Sequence, residues 1–483
     1  MIWFKFNKTI PFLSLFLLAL LAISCSNDDY PGQEDFVVAF EKASDNYSGE
    51  ETSKNIAIVF SSPAPGDGKV DLTYDSETLL YGEDKDFTSE PNISDGVISV
   101  PFSKGSSSIS FNIFKHTDTL SGEEKSIQFD IAEVIIPDFP AYAQGNTSMQ
   151  VNFSESASLG GSISPEIGGP NEPNQVYVHL ASQTETAVRR DIWDLGFYSG
   201  EEFYVKLNSS LYMFAGSLKT TDMSSINSNS SLVSELKNKM NFLVEDSHQY
   251  VDHPNGNLAE LAIQEINEND EENPVYLVKM GNEIGTDQPE TGSVAVAGAD
   301  RGWKKIRILR QGEDYLLQYA DLDDIEYQET TIPKTPGYSF TFYSVVDSQI
   351  AQVEPETENW DLNFTVNIEI ENLPGTGSET AYGFSDYVQT NSLGDVKAYR
   401  VSTEDYNYDE FNISDIEESE FDLDQRIIGS SWRNTIPPDR GVLNTIFYVL
   451  KDATGNYYKL KFMAMENENG LRGYPKFKYE LLQ

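Results

Sequence analysis

The frame Trp-Asp-Leu-x-Phe occurs twice, in IWDLGFYSG from Ile192 to Gly200 and in NWDLNFTVN from Asn359 to Asn367, and it takes two of the chain's five tryptophans. The surroundings repeat as well. VYVHL at Val176 precedes the first copy and YSFTFYSVV at Tyr338 the second, each followed by a polar turn. Downstream, IRILRQGEDYLLQYADL from Ile306 and IFYVLKDATGNYYKLKFMAM from Ile446 both read as apolar strand, polar turn and aromatic strand, the signature of a β-hairpin. Such a duplication requires two units of similar order. In each, the tryptophan is the large apolar body that anchors a strand in a core, and the aspartate satisfies nearby turn amides. Trp193, Asp194, Trp360 and Asp361 are therefore expected to hold the fold and to carry no chemistry.

Upstream, apolar residues alternate in short runs: VVAF at Val37, IAIVF at Ile56, VISVPF at Val97 and IQFDI at Ile127. Separated by Gly, Pro and Asp turns, they read as half-buried strands of a sandwich. The stretch from Ser154 to Gln175 is rich in Ser, Gly and Pro without apolar periodicity, which predicts a flexible or extended linker. The expected organisation is all-β: an immunoglobulin-like sandwich over 33–153, a linker over 154–175, and two related units over 176–335 and 336–483.

Lys5 and Lys8 precede an apolar run from Ile10 to Ile23 that stops at Ser24-Cys25. The run is shorter than the roughly 20 residues of a membrane-spanning helix and has the order of a signal peptide, over 1–24. Cys25 is the single cysteine, so no intramolecular disulfide is available. LAISC resembles a bacterial lipobox, which implies lipidation at Cys25 and a tether over 25–32. With 33 basic and 78 acidic residues the net charge is −45, which argues against nucleic acid or an anionic surface as partner.

LTYDSETLLYGEDKDFTSEPNISDGVISVPFSKGSSSISFNI, within the first sandwich, resembles a Calx-beta-like repeat. Glu83, Asp84 and Asp86 stand at its acidic turn, where they either ligate calcium or form a polar turn that binds nothing; the latter is the expectation. VYVHLASQTETAVRRDIWDLGFYSGEEFYVKLN and the C-terminal GSSWRNTIPPDRGVLNTIFYVLKDATGNYYKLKFMAMENENGLRGYPKFKYELL together resemble the HmuY family of haem-binding lipoproteins, over about 174–483. The resemblance implies an all-β fold, an outer-membrane lipoprotein displayed at the cell surface, and capture of haem or a porphyrin for iron acquisition, with a haem transporter as onward partner. The acidic SNDD after Cys25 looks like the export signal of such surface lipoproteins.

Haem-binding members of the family clamp the iron between two axial side chains, a His pair or a Met pair, in the second unit. This chain has no histidine after His253 and no methionine between Met280 and Met463. The candidate axial ligands are instead His248, His253, Met223 and Met240 in the first unit, with at most one of the histidines pairing with a distant methionine. Tyr382, Tyr387, Tyr406 and Tyr408 are weaker candidates among 26 tyrosines. His179 alternates within a strand and His116 belongs to the first sandwich. No nucleophile elbow, phosphate-cradling glycine loop or zinc-helix spacing occurs, so the chain is not read as an enzyme. Two further classes stay open: a surface protein that binds a non-haem ligand, glycan or protein, and a structural or adhesive lipoprotein.

Overall fold

The computed structural model describes residues 36–47, 52–76, 79–83, 85–116, 125–137, 139–153 and 158–483. The leader, Cys25 and Asp84 lie outside the described residues. The fold is all-β, and Ser231–Lys239 is the α-helix among the described residues.

The first body is a sandwich of two five-stranded sheets. In Phe36–Phe40 the rings of Phe36 and Phe40 and the side chain of Val38 point inward while Val37 and Ala39 are half-exposed, the two-residue period of a strand with one buried face. The inward sets of both sheets, among them Ile56, Ile58, Val70, Leu72, Phe111 and Phe129, form one core. After Phe40 the chain changes sheets: Phe36–Phe40 runs parallel to Ala141–Ala143, and Ser44–Asn46 runs parallel to Ser148–Asn152. At the acidic turn, the Asp86 carboxylate accepts the Leu80 N–H at 2.7 Å.

The stretch 158–175, the described part of the expected linker, is not a free connector. Gly160–Ile163 is a strand antiparallel to Arg472–Leu482, the last strand of the chain. Its glycines serve close approach. Gly160 has a φ of +123°, and a Cβ there would stand 2.3 Å from the Tyr479 carbonyl oxygen. The same segment fastens the first sandwich through the Ala43 N–H, which donates to the Gly160 carbonyl at 3.1 Å, and just beyond the segment the Ala181 carbonyl accepts from the Asn46 amide at 3.0 Å.

Beyond it stand two further sandwiches, each a four-stranded sheet packed on a five-stranded one. One uses Leu195–Tyr198, Val205–Leu207, Phe340–Ser344 and Gln349–Ala351 against Phe214–Ser217, Tyr276–Lys279, Trp303–Gln311, Asp314–Asp321 and Gln328–Ile332. Its core contains Leu195, Phe197, Ile306, Leu317, Tyr343 and Val345. The other uses Asn174–His179, Thr184–Arg189, Leu362–Asn372 and Glu379–Thr390 against Gly160–Ile163, Lys397–Ser402, Ile446–Lys451, Tyr457–Glu466 and Arg472–Leu482. Val176, Val178, Leu362, Phe364, Tyr458 and Phe477 fill it.

The unit boundary expected at 335/336 is thereby corrected. It falls between Gln328–Ile332 and Phe340–Ser344, which belong to one sandwich and share one core through Ile332 and Tyr343. The strands from Leu195 to Ala351 complete a sandwich contiguous in sequence, whereas the other is assembled from both flanks, 160–189 and 362–482. Each Trp-Asp-Leu strand pairs with a hairpin that belongs to the other copy of the sequence repeat: Leu195–Tyr198 with Phe340–Ser344, and Leu362–Asn372 with Asn174–His179. Hydrophobic pattern decides that strands form, but the pairing partner is a tertiary choice.

Candidate functional site

The chain crosses from one sandwich to the other just before each Trp-Asp-Leu strand, and the two crossings are built alike. Asp194 accepts from the Val345 N–H at 2.7 Å and Asp361 from the Leu180 N–H at 2.7 Å, so each carboxylate caps the turn of the hairpin its strand pairs with. Asn208 donates from its amide to the carbonyls of Arg190 and Trp193, at 2.7 and 2.8 Å; Asn391 does the same to Thr357 and Trp360, at 2.7 and 2.9 Å. The Arg190 guanidinium adds a clamp on the first crossing, donating to the carbonyls of Glu172 at 2.7 Å and Ser210 at 2.6 Å. The indoles are packed edge to face, Trp193 on Phe342 and Trp360 on Tyr177.

Between these crossings lies a cavity of about 110 Å³, lined by both tryptophans. One wall is the Leu362–Asn372 strand. Alternation sends Leu362 and Phe364 into the sandwich core and Asn363, Thr365 and Asn367 to the cavity, although all five are buried. Register sets Tyr177, Asn363 and Gln389 side by side across three strands, and the Asn363 amide donates to Gln389 Oε1 at 3.3 Å. The polar inventory is not satisfied within the protein. Ten buried side-chain nitrogen and oxygen atoms among the described residues have no assigned hydrogen bond, and five belong to side chains of residues that line the cavity: Trp193 Nε1, Trp360 Nε1, Asn363 Oδ1, Asn367 Nδ2 and Thr390 Oγ1. An unpaired buried polar group costs about 1–3 kcal/mol; each of these five atoms is itself closed off from water, so the cost is borne in the packing beside the cavity.

Charge at the cavity is balanced and inward. The Lys206 ammonium lies 3.8 Å from the Phe340 ring centroid, 4.9 Å from that of Phe342 and 5.6 Å from that of Trp193, a cation–π cage. Burial lowers the lysine's pKa, with Glu354 and Asp252 opposing. Burial pushes Glu354 up to about 7, against Lys206 and the backbone N–H groups it accepts from, and pushes Asp252 up to about 6. Asp252 is held by the N–H groups of Leu207 at 2.6 Å and Ala262 at 3.0 Å, and Glu354 by that of Phe340 at 2.9 Å. These carboxylates are spent on backbone, so the cavity's free polar capacity is chiefly neutral.

The expected axial ligands are not gathered around this cavity. His253 lines it; its Nδ1 accepts the Asn255 N–H at 3.3 Å and stands 3.5 Å from the Glu260 carboxylate. His248 sits at another place, Nδ1 3.2 Å from the Glu379 carbonyl. Met223 and Met240 are packed in the apolar cluster formed by the helix residues Val233 and Leu236 with Phe214 and Leu277. Buried thioethers there fill a core. Nor does the cavity, at about 110 Å³, have the several hundred Å³ usual for large organic ligands. The residues present do not form an axial pair for haem at this cavity. Of the tyrosines, Tyr387 and Tyr408 are buried, Tyr406 is half-buried and Tyr382 is exposed. His179 Nδ1 pairs with Ser182 Oγ at 2.8 Å, and His116 Nε2 with Thr88 Oγ1 at 2.8 Å.

Sequence reading missed Asn363, Asn367, Thr390, Lys206 and the pair Asn208 and Asn391. Two signals were available. Asn-x-Thr-x-Asn places three polar residues on one face of a strand whose other face is apolar, and the dipeptide Asn-Ser follows both Trp-Asp-Leu strands, at Asn208 and at Asn391.

Comparison with known proteins places these features. The family model described as HmuY protein matches residues 171–479. No curated protein matches. Among solved structures, the apo-form Calx CBD1 domain is 12% identical, covers 24% of this chain and 96% of its own, and gives a TM-score of 0.20. The Calx CBD2 domain is 14% identical, with 24% and 84% covered and a TM-score of 0.20. A putative carbohydrate binding protein from Bacteroides ovatus ATCC 8483 is 10% identical, with 73% and 97% covered and a TM-score of 0.17.

Proposed function

Because this chain belongs to the HmuY family, we propose that it is a binding protein tethered to the outer membrane through a lipidated Cys25, and that its ligand seats in the cavity between the two repeat sandwiches. The observation that carries this reading is the cavity itself, lined by both repeat tryptophans and by polar side chains of the Leu362–Asn372 and Glu379–Thr390 strands. Recognition there runs through hydrogen bonds and ring edges, without iron ligation. A thermal-shift screen of the full chain in detergent against sugars, nucleosides, amino acids and porphyrins tests it. A compound that raises the melting temperature of the wild type but not of Asn367→Leu supports the site; a panel in which every stabiliser acts equally on both removes it. The tether has its own test: Cys25→Ala is expected to leave the membrane fraction, since a body of charge −45 has no affinity for an anionic lipid surface.

Haem or porphyrin capture for iron acquisition, with delivery to a haem transporter, is the second reading. Family membership favours it, since the match covers both sandwiches. Its candidate ligands remain His248 and His253, with Met223 and Met240 requiring the apolar cluster to open. Hemin titrated into the full chain, beside His248→Ala and His253→Ala, decides: a saturable, sharp Soret band lost in one variant supports haem capture. The broad spectrum of free hemin throughout excludes iron ligation. An imidazole ligand must be neutral, so such a band weakens below about pH 6.

A further inference from the structure

We infer that the outer face of the C-terminal five-stranded sheet carries a separate binding site, which takes a phosphate or sulfate ester of a small polar molecule between Lys461 and Lys478. The site shares no lining residue with the cavity between the sandwiches. Its ground is a local reversal of charge in a chain whose net charge is −45. The strands Tyr457–Glu466 and Arg472–Leu482 turn Phe462 and Phe477 into the core and, by alternation, Lys459, Lys461, Lys476 and Lys478 to the opposite face. Lys461 and Lys478 are register partners. Like charges directly opposite one another destabilise a sheet, and an anion held between them offsets that cost.

The ammonium groups converge on one ring. Lys478 Nζ lies 4.1 Å, Lys459 Nζ 4.9 Å and Lys461 Nζ 6.0 Å from the Tyr408 centroid. Lys459 is engaged: it is buried, donates to the Phe411 carbonyl at 3.1 Å and pairs with Glu480 at 3.1 Å. Lys478 meets Asp409 at 3.2 Å, a carboxylate whose side chain is 78% exposed and so weakly held. Lys461 has no carboxylate partner among the described residues. Beside the pair opens a cavity of about 370 Å³, lined by Tyr408, Lys461 and Lys478 with Thr403, Asp409 and Asn444. Both lysines are half-buried and Asn444 is exposed, so solvent reaches all three. Lysine is a compact point charge that suits a tetrahedral oxyanion, whereas a planar carboxylate is matched by the fork of arginine, and the described lining holds none. The volume is that of an organic ligand site, larger than a bare oxyanion needs, and the Asn444 amide and Thr403 hydroxyl offer donors and acceptors to a polar carrier.

The experiment is a calorimetric titration of the full chain in detergent with glucose 6-phosphate, glucose 6-sulfate, glucuronate, inorganic phosphate and, as the neutral reference, glucose, each to tens of millimolar. The expected result is saturable one-site binding of one of the two esters, weakened about 10-fold or more by Lys461→Gln and by Lys478→Gln, the loss of a charge-assisted hydrogen bond; the tighter ester identifies the oxyanion. Asp409→Asn removes the carboxylate from the wall and tightens binding. Lys304→Gln leaves it unchanged, because that ammonium pairs with Asp321 at 2.7 Å in the other repeat sandwich. Lys461→Gln relieves a like-charge pair and melts no lower than the wild type, which keeps misfolding out of the readout. Absence of saturable ester binding to folded wild type overturns the assignment, as does ester binding indifferent to both lysine variants. Glucuronate bound as tightly as either ester overturns the tetrahedral oxyanion, and inorganic phosphate bound as tightly as glucose 6-phosphate overturns the polar carrier.

Discussion

Asp194 and Asp361 occupy the same place in the repeated frame, are both buried, and differ in one respect. Asp194 has a cation: Arg301 Nη2 donates to its Oδ1 at 2.7 Å. Asp361 has the Leu180 N–H and no ion pair among the described residues, with the Asp452 carboxylate acting against it, and burial pushes it up to about 7. Breaking a buried pair leaves an uncompensated charge, so Asp194→Asn is expected to cost about 3–5 kcal/mol in chemical denaturation. Asp361→Asn keeps the acceptor oxygen and removes a charge the fold disfavours. A carboxyl whose folded pKa lies above its unfolded 3.8 holds its proton longer in the native state. Its penalty is absent below about pH 4, grows as pH rises to about 7, and is complete beyond. Melting temperatures measured from pH 5 to 8.5 should therefore fall less steeply in Asp361→Asn than in the wild type, and the variant should equal or exceed it at pH 8. The tryptophans beside them are packed on rings and, for Trp193, on Lys206. Trp193→Ala and Trp360→Ala are each expected to lose about 3–5 kcal/mol, measured by urea unfolding; a variant that kept its midpoint would show the ring to be dispensable to the fold.

At the scale of elements, the strand Gly160–Ile163 has the greatest leverage for its length. It closes the edge of the C-terminal five-stranded sheet, and the Gly160 carbonyl takes hydrogen bonds from Ala43 of the first sandwich at 3.1 Å and from Gln183 at 3.0 Å. Gly160 sits in backbone that side chains rarely adopt and against the Tyr479 carbonyl, so Gly160→Val has both a conformational and a steric cost. The expectation is a loss of more than about 1 kcal/mol and new proteolytic cleavage near residues 154–165, read by limited digestion and mass spectrometry. Unchanged resistance would mean the strand is not what fastens the first sandwich. In this element glycine permits two backbones to close on one another.

For the whole molecule, a sandwich contiguous from Leu195 to Ala351 is inserted in one whose strands come from both flanks. Independence follows from contiguity, since every strand that buries the core of the inserted body lies within it. A fragment spanning 191–355 is expected to fold with a cooperative melt and β-type circular dichroism. A fragment ending at 335 lacks Phe340–Ser344 and Gln349–Ala351, exposes the edge of Leu195–Tyr198, and is expected to aggregate. Equal behaviour of the two fragments would contradict the assignment of those strands. The cavity is lined from both sandwiches, so an occupant of it would be coupled to the contact between them.

Period-two alternation, turn residues and a duplicated Trp-Asp-Leu frame are local properties, and from them the strands, the all-β class and the capping role of Asp194 and Asp361 could be read directly. Which hairpin each Trp-Asp-Leu strand adopts could not, because two equivalent edges compete and the choice is made by packing across residues far apart in sequence. The cavity is a product of that choice. Asn363 and Asn367 are ordinary strand residues until Trp193 and Trp360 are brought together over them, and Met223 and Met240 look like ligands until the helix Ser231–Lys239 closes its apolar cluster around them. Burial, which turns a polar side chain from a solvated surface group into an unpaired one, exists only in three dimensions.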